Sequence, residues 1–199
     1  MSFTQTQIDN AFEALGLALP DAGELTALEN VSDYYQGVQD IVALPEVQTE
    51  VAPIVQMFEA AFGRGPSPQT LASMVSSHLT EPELAAAFAS SQAFANVYND
   101  GILLNPNSLS NPGMIESLFI RVLDHPPTAA TLAGFSSLTT AQAFQAFVTS
   151  QAATAALSSN VDTDLTQIVE LTVGVIMQSD TVQIVGQQVS QLTHGAHIA

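Results

Sequence analysis

Apolar residues along this chain recur at the spacing of three and four residues that is typical of amphipathic helices. Runs that alternate between apolar and polar residues are missing, and alanine is abundant. A broad apolar face near the C-terminus comprises Leu165, Ile168, Val169, Leu171, Thr172, Val175 and Ile176. The pattern predicts an all-α fold.

Three stretches of the chain align without a gap, which indicates an internal repeat. They are Phe12–Leu28, Phe58–Met74 and Phe119–Phe135. Each begins with phenylalanine and carries a proline and a leucine at the same places. The stretches that begin at Leu79 and Leu138 also match, whereas the first copy diverges there and offers Ile41 in place of Phe88 and Phe147. We therefore expect a helical repeat bundle of about three related multi-helix units, followed by C-terminal helices.

The residue after each aligned proline is a good helix N-cap, because its side-chain oxygen can accept a hydrogen bond from a free backbone N–H. These residues are Asp21, Ser67 and Thr128. Capping boxes are predicted for the pairs Thr4 and Gln7, Asp21 and Glu24, Thr80 and Glu83, and Thr139 and Gln142. The segment "GRGPSP" from Gly63 is therefore expected to end one helix and begin the next, with Pro68 in the first turn of the new helix.

A linker is predicted at residues 99–113, because two Asn-Pro steps disfavour helix there. It would separate an N-terminal lobe of two units (1–98) from a C-terminal lobe (114–199) that holds the third unit and the terminal helices. Asp162 or Thr163 is expected to cap the next helix, and Asp180 to break it before a helix that carries Val182, Val185, Val189 and Leu192. The Val/Ile/Leu face of these last helices either mediates self-association or closes the core.

The charge balance restricts the possible partners. The chain has 19 acidic residues against two arginines and a formal net charge of −17. Binding to a nucleic-acid backbone is excluded, since it requires many Lys and Arg residues. An anionic partner would need a bridging cation. The absence of cysteine excludes disulfides and thiolate sites. The N-terminus lacks the pattern of a signal peptide, and the apolar run Ile168–Met177 is too short to span a membrane.

No catalytic motif is present in the sequence, and we expect the protein not to be an enzyme. The acidic pairs Asp162 with Asp164 and Glu81 with Glu83 are interpreted as helix-start charges. His194 and His197 could share a metal ion or lie in a flexible tail, and since no third ligand is evident we assign no metal site. His78 and His125 lie beside predicted turns, as surface or capping residues.

Candidate ligand-binding residues are the cations and the tyrosines. Arg64 is expected at a helix C-terminus, paired with a carboxylate, and Arg121 in a structural ion pair or at a helix–helix edge. Alternatively, both arginines face a phosphate or carboxylate of a glycan. Tyr34, Tyr35 and Tyr98 could stack on sugar rings, although such residues also pack half-buried at helix edges. These possibilities stay open at the level of sequence.

The second unit resembles a repeated helical domain of bacterial surface-layer and type I secreted proteins. The matching positions are Gly63, Arg64, Pro66, Leu71, Phe88, Ser91 and Phe94. Residues 1–155 are also similar to the N-terminal lipopolysaccharide-anchoring region of alphaproteobacterial surface-layer proteins. Departures from the pattern are Thr70 in place of glycine, Met74 in place of an aromatic residue, Asp124-His125 in place of Gly-Arg, and the loss of Gly-Arg from the first copy.

The resemblance implies an extracellular protein of the bacterial cell surface, exported without an N-terminal signal peptide. It implies binding to lipopolysaccharide, self-assembly into an array, and a possible need for Ca²⁺, although no calcium-binding repeat or EF-hand loop is present. One alternative is a helical scaffold or adaptor that binds a protein partner and no glycan. Another is a coat on a lipid or polyester inclusion, which requires exposed apolar helix faces.

Overall fold

The computed structural model describes residues 3–194, with side chains described as far as residue 174. The fold is all-α, as predicted, and in the described residues the only β-type pairing is an isolated bridge between Leu109 and Thr139. The helices are α1 (Gln5–Leu15), α2 (Ala22–Glu29), α3 (Tyr34–Val42), α4 (Ala52–Phe62), α5 (Pro68–Ser76), α6 (Glu81–Ala89), α7 (Gln92–Tyr98), α8 (Pro112–Leu123), α9 (Ala129–Phe135), α10 (Thr140–Val148) and α11 (Gln151–His194). A π-helical turn at Val47–Val51 leads into α4. Among the described helices, none is long and apolar enough to cross a bilayer.

The first helix of each predicted unit ends in the same way. α1, α4 and α8 stop at Gly16, Gly63 and Asp124, whose φ angles of 76°, 64° and 57° place all three in the left-handed region. Glycine adopts this conformation without a steric penalty, and aspartate is one of the few other residues that tolerate it. The turn that follows contains the aligned proline.

The predicted N-caps are confirmed. The side chains of Asp21, Ser67 and Thr128 accept hydrogen bonds from the backbone N–H groups of Glu24, Thr70 and Thr131, at 2.9, 3.2 and 3.1 Å. All four predicted capping boxes are also present. Because caps depend on residues three positions apart, they can be predicted from local sequence alone.

Equivalent aromatic residues of the second and third units make similar contacts. The rings of Phe58 and Phe88 lie 4.9 Å apart, and those of Phe119 and Phe147 lie 5.0 Å apart. These pairs occupy matching places in the sequence alignment. The arrangement of all three units as a repeat stays a prediction.

One hydrophobic core contains residues from both predicted lobes. α6 packs against α10, and Phe144 of α10 lies 5.8 Å from Phe88 of α6 and 5.1 Å from Phe94 of α7. α11 packs against α1, α3, α4 and α8, and the Nε2 atom of Gln7 donates a hydrogen bond to the carbonyl of Val173 at 3.4 Å. The last helix therefore joins elements from distant parts of the chain.

The predicted bounds of the C-terminal helices are wrong. A single helix runs from Gln151 to His194, so neither Asp162 nor Thr163 caps it and Asp180 does not break it. Ser150 precedes the helix, and its hydroxyl accepts a hydrogen bond from the N–H of Ala153 at 3.2 Å. Neither proline nor glycine occurs between 151 and 173, and polar residues in the interior of a helix are tolerated when they face solvent.

The predicted apolar face of α11 is confirmed only in part. Leu165, Ile168 and Val169 are buried and belong to the core, but Leu171 is exposed. As far as residue 174, this face therefore closes the core. The side chains of the predicted stripe from Val182 to Leu192 lie outside the described residues.

Candidate functional site

The C-terminal end of α4 gathers most of the candidate residues. Gly63 ends this helix, and its N–H donates to the carbonyl of Glu59 at 2.8 Å. Arg64 follows and is exposed. The guanidinium group of Arg121, from the last turn of α8, lies against Gly63, where an added Cβ would be 3.1 Å from Nη2. Both arginines therefore lie at the C-terminal end of α4: Arg64 follows Gly63 in sequence, and the guanidinium group of Arg121 lies against Gly63.

Helix termini explain why the arginines are favourable at this surface. The last carbonyl groups of α4 carry partial negative charge, and Arg121 itself lies in the last turn of α8. Cations near helix C-termini gain about 0.3–1 kcal/mol when they are exposed. Guanidinium groups also present paired N–H donors that fit a phosphate or carboxylate. The C-terminal end of α4 therefore presents two cationic groups on a chain that as a whole is acidic.

Tyr98 supports this end of α4 from inside the core. Its side chain is only 8% exposed, its ring packs 4.5 Å from Phe94, and its hydroxyl donates to the carbonyl of Ala60 at 2.9 Å. Burial raises the pKa of Tyr98, and the nearby charge of Arg121 partly opposes that rise. This position agrees with packing at a helix edge more closely than with stacking on a sugar.

Tyr34 and Tyr35 form a separate aromatic pair at the start of α3. The Tyr34 ring lies 5.5 Å from the rings of both Phe3 and Tyr35, and burial with the charge of Glu170 raises its pKa. Tyr35 is 70% exposed. The Tyr34 hydroxyl approaches Gly174. In the structure, this tyrosine pair is not part of the contact between Arg121 and the end of α4.

The sequence analysis did not identify two carboxyl groups near the C-terminal end of α4, those of Glu59 and Asp164. Glu59 of α4 is 5% exposed, and its Oε2 accepts a hydrogen bond from Nδ2 of Asn160 at 3.0 Å. Asp164 of α11 lies close enough to Glu59 for the charge of Glu59 to raise its pKa. The burial of Glu59 could have been predicted from its position. It follows Val55, which is buried, by four residues and so lies on the apolar face of α4.

Gly65 makes room for this carboxyl pair. A Cβ at Gly65 would lie 2.6 Å from both Cγ and Oδ2 of Asp164, so a larger residue would push the carboxyl group aside. The Oδ2 atom of Asp164 is itself buried without a hydrogen-bond partner. Burial, together with the neighbouring carboxyl group of Glu59, raises the pKa of Asp164 to about 6. Asp164 therefore changes its charge near pH 6.

The histidines are not part of this surface in the described residues. His78 and His125 are both exposed in turns, where His78 has a φ of 50° and Nδ1 of His125 lies 3.0 Å from the carbonyl of Pro126. The side chain of His194 and the whole of His197 lie outside the described residues. Within the described part of the chain, no three or more His, Asp or Glu side chains form a group that could hold a metal ion.

Comparison with protein-family models, with curated proteins and with solved structures found no match for this chain. The resemblance to surface-layer domains therefore rests on the sequence motifs alone.

Proposed function

We propose that the chain is a non-enzymatic anchoring and assembly protein of the bacterial cell surface. It binds an anionic surface glycan, such as lipopolysaccharide, and associates with copies of itself in an extracellular array. The observation that supports this proposal is the location of Arg121 against Gly63, beside Arg64. The sequence motifs that resemble surface-layer anchoring domains are an independent reason for it.

The charge distribution suggests how such binding would work. A net charge of −17 repels an anionic glycan at long range, and salt or a divalent cation screens that repulsion. Ca²⁺ prefers oxygen ligands and can bridge carboxylates of the protein to phosphates of the glycan. At short range, the two arginines would bind a phosphate or carboxylate directly.

Binding to lipopolysaccharide tests the glycan part of the proposal. Purified protein would be titrated with the water-soluble polysaccharide released from lipopolysaccharide, with and without millimolar Ca²⁺, in a calorimeter. The double variant Arg64→Gln/Arg121→Gln should bind at least about tenfold more weakly, since each charged hydrogen bond contributes roughly 1.5–3 kcal/mol. Arg64→Lys/Arg121→Lys, which keeps both charges, should retain part of the affinity.

Two results would count against the glycan proposal. Equal affinity of the wild type and the Gln double variant would show that the arginines are not the site. No binding under either condition would remove the glycan role and favour the alternative of a scaffold for a protein partner.

Self-assembly needs a separate measurement. Mass photometry of the wild-type protein should show large assemblies when millimolar Ca²⁺ is added. A monomer that is unchanged by Ca²⁺ would contradict calcium-driven assembly, and the result of the glycan titration would still stand.

A further inference from the structure

An open groove with a cavity volume of about 580 Å³ lies between α4, α5 and α6. Its floor is formed by Phe58, Phe62, Met74 and Phe88. The three rings hold one another in place, because each lies 4.9–5.8 Å from the other two. The volume is within the range of about 300–1,000 Å³ that is typical of small-molecule sites. The floor is therefore formed before any ligand arrives.

In the third unit, a phenyl ring occupies the position that corresponds to Met74 of the groove. Phe119 and Phe147 correspond to Phe58 and Phe88 of the groove, and their rings lie 5.0 Å apart. The residue that aligns with Met74 is Phe135, whose ring packs edge-on against Phe119 at a centroid distance of 6.0 Å. In the second unit, the unbranched side chain of Met74 takes that position and leaves the groove open. The fold thus accommodates a phenyl ring beside the first phenylalanine.

The lining of the groove also restricts the charge of a ligand. All of the lining residues are described, and none of them is charged. The polar groups at the rim, which include Thr70 and Ser73, are hydroxyls and amides that can hydrogen-bond with a neutral ligand. A charged ligand would lose hydration without a counter-charge in the groove, and an anion would in addition be repelled by the acidic chain.

We propose that this groove binds an uncharged small molecule that bears a phenyl ring, with the ring packed against Phe58 in the place that Phe135 fills in the third unit. The ring would gain edge-to-face or offset contacts with Phe58 and Phe88, and the hydroxyls of Thr70 or Ser73 would bind a neutral polar group of the ligand. This site is independent of the arginine surface and of the glycan proposal.

Two substitutions at position 74 of the full chain test the site. The uncharged fluorophore N-phenyl-1-naphthylamine would be titrated into the wild type, Met74→Leu and Met74→Phe, and its fluorescence enhancement followed. Met74→Leu keeps the groove open and should bind within about threefold of the wild type. Met74→Phe supplies the missing ring, so its affinity should fall at least about tenfold, with thermal melts confirming that both variants are folded.

An experiment on the wild-type protein covers the case in which Met74→Phe does not fold. With ¹³C-methyl-labelled methionine, saturating benzyl alcohol should shift the methyl resonance of Met74. The methyl resonances of Met57 and Met114, which are both buried in the core, should not move. An unmoved Met74 resonance, or a folded Met74→Phe that binds the fluorophore as tightly as the wild type, would overturn the proposal.

Discussion

The carboxyl group of Asp164 on α11 lies near the buried carboxyl group of Glu59 on α4. Two ionised carboxylates repel each other, so protonation of Asp164 relieves the repulsion between them. Asn160 donates to Oε2 of Glu59 from the same face of α11, one turn earlier. The contact between α4 and α11 therefore contains one hydrogen bond, from Asn160, and one carboxyl group whose charge depends on pH.

The first prediction concerns the pH dependence of stability. In the folded protein the pKa of Asp164 is raised from 3.8 to about 6, so the folded state binds this proton more tightly than the unfolded state does. Its stabilising contribution is complete below pH of about 4 and is lost as the pH rises through 6. Because Asp164 is partly exposed to solvent, we expect an effect of about 1 kcal/mol.

Urea denaturation between pH 5 and 7.5 would measure this contribution. Asp164→Asn should lower the dependence on pH, because the amide cannot ionise. Asp162→Asn removes a charge from an exposed position of the same helix and serves as the matched control. Equal slopes for the two variants would mean that the loss of stability comes from the general repulsion among the acidic residues.

A second prediction concerns Gly65. In Gly65→Ala, the added Cβ would collide with the carboxyl group of Asp164, so the free energy of unfolding should fall by about 1–3 kcal/mol. Gly134→Ala is the control, since nothing lies within 4 Å of a Cβ at this position in α9. That variant should be more stable by up to about 1 kcal/mol. If both variants lost the same stability by chemical denaturation, the steric explanation would be wrong.

The third prediction concerns the hydroxyl of Tyr98. Tyr98→Phe keeps the buried ring but leaves the carbonyl of Ala60 without its hydrogen bond. The free energy of unfolding should fall by about 1–2 kcal/mol. Tyr35→Phe removes the same atom from an exposed ring and should have no measurable effect. A Tyr98→Phe variant as stable as the wild type would show that water replaces the lost donor.

A fourth prediction concerns the cap of α10. The Thr139 hydroxyl accepts from the N–H of Gln142 at 3.2 Å, and the Gln142 side chain accepts from the N–H of Thr139 at 3.0 Å. Thr139→Ala should cost about 1 kcal/mol in thermal or chemical unfolding. Thr163→Ala, in the interior of α11, should be neutral or slightly stabilising because alanine has the higher helix propensity. A similar loss in both variants would argue against a specific cap.

Local features of the fold could be predicted from the sequence, because each is determined by a few neighbouring residues. The caps at Asp21, Ser67 and Thr128 are of this kind, and so is the left-handed end of α4 at Gly63. The predicted start of α11 is wrong. Asp162 has the side chain of a good N-cap, but packing keeps the helix continuous from Gln151. The preference of Asp162 for a helix N-cap is therefore weaker than the effect of the tertiary contacts of α11.

The contacts at the candidate site depend on residues that are far apart in sequence. Glu59 and Asn160 are separated by 101 positions, and no local pattern indicates that they meet. The position of Arg121 against Gly63 likewise follows from the packing of α8 beside α4. Single residues could be selected as candidates from chemistry, but their grouping required the tertiary fold.

The packing of α1 against α11 also has a consequence for the order of events in folding. Gln7 and Val173 are 166 residues apart, and closing a loop of that length costs about 2.5 kcal/mol more entropy than closing one of ten residues. Until α11 has been synthesised, the part of α1 that packs against α11 stays uncovered. A ribosome-bound chain would therefore carry part of this apolar face uncovered until α11 emerges from the ribosome.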